Sequence, residues 1–288
     1  MRDSHTATPS RPDLARMGLG IIGIGTSGPL IAMSHMPILT LIALRNLGGS
    51  IVTAPFALAH KVTREGAKWS VIAGLVLAAH FIGFFMSMRM TSVAAGTAIV
   101  ALQPLFAALY VKIGGGVIPS SVWVGMFVAF AGVLFISGVD LHLSTKSFIG
   151  DIASLISAAL AAFYMMLGAK AQRTIETTVY TTICYATCGG ISLLASIVMG
   201  FQIFNFQARE WWLLLGLIAG AQILGHTMFN SALKRVSPAI VSLIIFFEVP
   251  VSALLAAWWM GQVPPLGTIP GIILILIGCT LVVVRGKR

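Results

Sequence analysis

Apolar runs close to the length of a bilayer crossing, separated only by brief polar breaks, constrain this chain more than any other feature. Hydrocarbon gives backbone N–H and C=O groups no partners, so such runs become helices that satisfy themselves. Water is the wrong solvent for them. The chain is 58% hydrophobic and 9% charged, where a soluble domain carries roughly a quarter charged residues.

A crossing needs about 20 predominantly apolar residues. On that length the 288 residues divide at their polar breaks into ten expected spans: 14–34, 37–59, 69–88, 92–111, 121–139, 148–169, 178–200, 211–232, 238–260 and 265–284. Trp69, Trp211, Trp212, Trp258 and Trp259 fall at span ends, where amphipathic indoles favour the headgroup region. The polar start leads straight into an apolar run without a small-residue cleavage site, so the first helix is expected to be retained.

The net charge of +10 reports topology rather than nucleic acid, because the basic residues form short clusters between apolar runs. With the N-terminus inside, Arg2, Arg11, Arg16, Lys61, Arg64, Lys68, Lys112, Lys170, Arg173, Lys234, Arg235, Arg285, Lys287 and Arg288 gather on the cytoplasmic side. Arg89, Lys146 and Arg209 lie outside, and Arg45 sits within the second span. Cytoplasmic loops hold the excess of Lys and Arg, so both termini are expected to be cytoplasmic. Cys184, Cys188 and Cys279 all lie in apolar runs and suggest neither a disulfide framework nor a metal cluster.

Sliding the sequence against itself by 146 positions superposes Gly74 on Gly220, His80 on His226, Arg89 on Arg235 and Pro104 on Pro250. The coincidence continues through Gly115 and Gly261, Pro119 and Pro265, Gly125 and Gly271, and Gly132 and Gly278. His and Pro are too scarce here to match by chance, so the chain reads as two repeats, 1–140 and 147–288. Five spans per repeat place the second copy upside down. The expected fold is therefore an all-α polytopic membrane protein of ten helices in two inverted five-helix halves, an architecture that in many transporters holds its substrate between the halves near the midplane.

The stretch from Ser231 to Ser242 (SALKRVSPAIVS), followed by Glu248-Val-Pro250-Val and Trp259-Met-Gly261-Gln262, resembles the closing signature of EamA-type carriers in the drug/metabolite transporter superfamily. Gln103-Pro104 repeats it more weakly, and Leu44-Arg45-Asn46 resembles the family's Leu-Arg pair. The acidic residue usual after the Gly closing the fourth and ninth spans is replaced by Gly116 and Gln262, so no role of that carboxylate carries over. Within the superfamily the chain looks most like bacterial exporters of aromatic and other neutral amino acids. The resemblance implies export of amino acids from a bacterial cytoplasm across the inner membrane. Amino acids and the bilayer are the expected partners, without nucleic acid or a cofactor, and the sequence is compatible with a monomer.

Polar residues at mid-span face the bundle interior, because hydrocarbon penalises them elsewhere. His80 and His226 would stand on opposite walls of a cavity, as hydrogen-bond donors to a carboxylate, as titrating groups, or as plain interhelical bonds. Gln222, His226 and Asn230, at i, i+4 and i+8, draw one polar stripe that suits a cavity or interhelical glue. Gln103, Tyr164 and Phe84, with Phe81, Ser154 and Ser157 nearby, are further candidates for the wall. Glu248 either takes part in coupling or satisfies backbone groups freed by Pro250, and Arg45 pairs internally or snorkels. Pro104 and Pro250 are expected to kink their helices. Gly125 and Gly132, like Gly271 and Gly278, allow close helix approach in two buttressing helices.

Export of cationic drugs or other small metabolites remains an alternative, although it would call for more cavity carboxylates than Glu248. An intramembrane enzyme would need a nucleophile with its base or paired metal ligands, and the sequence shows no such pattern. A channel would leave the inverted repeat without an alternating-access purpose.

Overall fold

The computed structural model describes residues 11–117, 120–232 and 245–285, and among these the chain is helical without a strand. Helices α1 (Arg11–Gly25) and α2 (Ser27–Met33) are followed by α3 (Ile38–Ala57), α4 (Arg64–Met90), α5 (Val93–Val100), α6 (Gln103–Ile113) and α7 (Ser120–Leu143). The second half holds α8 (Thr145–Ala171), α9 (Thr177–Val198), α10 (Ala208–Gly216), a π-helical segment (Leu217–Thr227), α11 (Met228–Ala232), α12 (Glu248–Met260) and α13 (Ile269–Arg285). Seven stretches among the described residues are long and apolar enough to cross a membrane: Ala15–Met33, Ile38–Ala57, Arg64–Met90, Val93–Ile113, Thr145–Ala171, Thr177–Val198 and Ala208–Ala232. Shorter apolar helices, Val122–Ile136, Glu248–Met260 and Leu266–Leu281, take the places of the fifth, ninth and tenth expected spans. Part of the ninth span and of the signature, together with Arg2, Pro119, Lys234, Arg235, Lys287 and Arg288, lies outside the described residues.

Local chemistry sets where these helices begin and break. The Thr63, Ser92 and Ser144 hydroxyls accept the N–H of Gly66, Ala95 and Ser147, capping α4, α5 and α8. The fourth span breaks at Ala101 and Leu102, just ahead of Pro104, whose ring cannot follow an unbroken turn. The first span breaks at Thr26, which donates its hydroxyl to the Gly23 carbonyl.

The broadest pairings are α4 with α8, α7 with α13 and α3 with α9, followed by α4 with α9 and α1 with the π segment. Where α7 meets α13 the approach is backbone on backbone: a Cβ at Gly132 would stand 2.6 Å from the Gly271 carbonyl oxygen. Only hydrogen fits there, which is the use small residues have between membrane helices. Ile51, Phe56, Phe127, Leu194 and Leu254 are exposed on the outside, an apolar surface that suits acyl chains. The basic residues sort to two ends. Thr63 donates to Thr174 and Lys170 lies over Trp69, which sets Lys61, Arg64, Lys68 and Arg173 at one end. Arg89 and Lys146 share an open cavity of about 750 Å³ at the other, beside Ser34 and His35.

Candidate functional site

At the centre of the bundle a small cavity of about 50 Å³ is lined by Ile24, His80, Gln103, Ala161, Tyr164, Met165, His226, Phe229, Asn230 and Ile245. Both halves of the chain contribute. His80 comes from α4, Gln103 from the first turn of α6, Tyr164 from α8, His226 from the π segment and Asn230 from α11. Five of the seven residues expected to form a substrate cavity therefore meet around one space.

His80 is tied to α8. Its Nδ1 lies 3.0 Å from the Ser157 carbonyl and 2.8 Å from the Ser157 hydroxyl, which itself donates to the His80 carbonyl at 3.1 Å. A carbonyl can only accept, so Nδ1 carries the hydrogen and Nε2 is left as an acceptor. The ring thus offers the cavity an acceptor, and a donor only in its charged form. Phe84 stacks on His80 at 6.0 Å and is buried outside the cavity lining, so it steadies the imidazole rather than forming the wall.

The stripe on the eighth span divides its work. Asn230 donates to the Tyr164 hydroxyl at 3.1 Å, crossing the cavity wall from α11 to α8. His226 makes an edge contact with the Phe81 ring at 5.6 Å and has no side-chain hydrogen bond among the described residues. Gln222 is fully buried away from the lining and donates to Asn46 Oδ1 at 3.1 Å, while Asn46 donates to the Ile42 carbonyl. Gln222 therefore joins the π segment to α3. The π geometry is supported by Thr227, whose hydroxyl donates to the Gln222 carbonyl five residues back and accepts from Tyr185. Widened turns of this kind recur at functional sites.

Arg45 is fully buried in α3, with its guanidinium carbon 4.4 Å from the Phe81 ring centre and 5.7 Å from that of Phe85. None of its three guanidinium nitrogens has a hydrogen-bond partner among the described residues. Glu248, buried at the start of α12, lies within electrostatic reach of it without forming an ion pair. Pro250 falls in the first turn of α12, where a missing N–H costs the helix nothing. Glu210 is a further buried carboxylate, in the first turn of α10, where it accepts from Ser34 and the His35 N–H and pairs with Arg209 at 3.2 Å. Its role is to fasten α10 to the end of α2. No group of three or more His, Cys, Asp or Glu among the described residues could hold a metal ion.

Ile24, Ala161, Met165, Phe229 and Ile245 complete the wall without having been expected there. Apolar residues in a chain this apolar carry no signal that separates wall from packing.

The EamA-like transporter family model matches residues 17–138 and again 148–284. An uncharacterized transporter of Archaeoglobus fulgidus is 23% identical over 226 residues, which cover 75% of this chain and 77% of that one. A crystal structure superposes with a TM-score of 0.67 at 20% identity, covering 97% of this chain and 100% of the other, a likeness of fold.

Proposed function

Because the chain belongs to the EamA-like transporter family and is a multi-pass membrane transporter, we propose that it exports amino acids, aromatic and other neutral ones, by alternating access between two inverted five-helix halves. The observation that carries this reading is the cavity assembled from both halves, with aromatic walls and a few convergent polar groups. The helix pairing supports the symmetry. Exchanging the halves turns the contact of α4 with α8 into that of the eighth span with α1, and it leaves the pairs α3 with α9 and α7 with α13 in place. The family model matches the chain twice, once over each proposed half, which is what two copies of one unit would give.

A space of about 50 Å³ holds little more than a water molecule or two, too little for an amino acid. Binding requires the halves to part. In the proposed cycle the end carrying Lys61, Arg64, Lys170 and Arg173 faces the cytoplasm, and the open cavity beside Arg89 and Lys146 marks the outer end. Both termini are then cytoplasmic, in a bacterial inner membrane. Uptake of radiolabelled neutral, aromatic and cationic amino acids into liposomes reconstituted with the protein tests the proposal against protein-free vesicles. Saturable uptake of neutral amino acids supports it; uptake of cationic drugs alone would replace amino acids with the alternative cargo.

A further inference from the structure

The buried guanidinium of Arg45 is the least balanced group in the described structure. A cation held in a membrane interior is costly unless an anion or a set of acceptors meets it. Yet among the described residues its three nitrogens make no hydrogen bond, Glu248 is within electrostatic reach but forms no ion pair, and the guanidinium lies against the faces of Phe81 and Phe85. Aromatic faces attract a cation but accept no directed hydrogen bonds. The guanidinium is close enough to His80, His226 and Tyr164, all in the cavity wall, to act on them electrostatically. Phe81 is the shared neighbour, touching both Arg45 and His226. Gln222 Oε1, also buried and without a partner, is an acceptor on the π segment beside α3.

Building on the amino-acid reading above, we propose that Arg45 is the anion anchor of the transport site: cargo must carry a carboxylate, which reaches the guanidinium when Phe81 turns aside. The planar fork of five donors fits a carboxylate in two parallel bonds, as an ammonium group would not. The same charge disfavours cargo that is only cationic, which separates this site from one built for cationic drugs.

The test is competition against labelled phenylalanine uptake in proteoliposomes by unlabelled phenylalanine, phenylalaninamide and 3-phenylpropionate. The wild-type protein is expected to bind the amide about tenfold to a hundredfold more weakly than the acid, the range a charge-assisted bond supplies, and to retain binding of phenylpropionate. Arg45→Gln removes that preference and Arg45→Lys restores part of it. Equal competition by acid and amide in the wild type overturns the inference whatever the variants do, as does a folded Arg45→Gln protein that still prefers the acid. If phenylalanine itself is not taken up by folded wild-type protein, and no other amino acid is, the amino-acid reading falls and this inference with it.

Discussion

His80 and His226 occupy equivalent positions in the two halves, yet one is tied to the frame and the other is not. His80 sits in a regular helix, 5% exposed, and exchanges hydrogen bonds with Ser157 on α8. His226 sits in the π segment, partly exposed to the cavity, with a ring contact to Phe81 in place of a hydrogen bond. Two residues of the same chemistry, 146 positions apart, therefore differ in their surroundings, which divide structural work from cavity work. The division extends along the helices. Gly74 on α4 lies against the Cys184 backbone carbonyl of α9, whereas Gly220, its equivalent, lies against the Thr26 hydroxyl.

The largest break in this comparison is expected from Gly74→Leu, because a Cβ there would stand 2.6 Å from the Cys184 oxygen and 2.7 Å from Thr187 Cβ, neither free to retreat. It should cost about 3 kcal/mol, the upper end of overpacking, and Gly220→Leu should cost less; thermal unfolding in detergent ranks the two. Next comes His80→Phe, which keeps the ring and removes the bonds to Ser157. A loss of about 2 kcal/mol is expected, the cost of stranding buried polar groups, against less than about 0.5 kcal/mol for His226→Phe, which breaks no hydrogen bond among the described residues. Denaturation midpoints that fell equally would erase the distinction between the histidines. A smaller loss than that of His80→Phe belongs to Tyr164→Phe, which deletes the acceptor of one Asn230 bond. About 1 kcal/mol is expected, read as a similar drop in stability with a modest rise in the KM of uptake.

The membrane helices were legible because hydropathy dictates them, and their caps and the break ahead of Pro104 follow from single residues. The broken first span and the π segment were not: Gly25, Gly28 and Pro29 flank Thr26, and Gly220 and Gly225 lie in the π run, but glycines are as frequent in spans that stay regular, so they mark no particular break. Within the site, scarce polar residues in apolar helices announced themselves: His80, Gln103, Tyr164, His226 and Asn230 meet at one cavity. Phe84 and Gln222 were grouped with them but lie outside the lining. Helical spacing says which residues share a face; which neighbour that face meets is decided by packing, and Gln222 meets Asn46. Arg45 stood out as a charge in a span, but its lack of a hydrogen-bond partner is a property of three helices at once.

The contact between α7 and α13 has a mechanical consequence. Gly132 and Gly271 bring main chain against main chain there, one helix from each half. Side chains can slide and exchange rotamers under load, but where main chain meets main chain, with only Ile136 and Ile275 closing in alongside, little slack is left to take up. In the proposed cycle a tilt of one half would pass to the other at this seam, which would make it a fulcrum: the place that moves least while the cavity on the far side of each half opens and shuts.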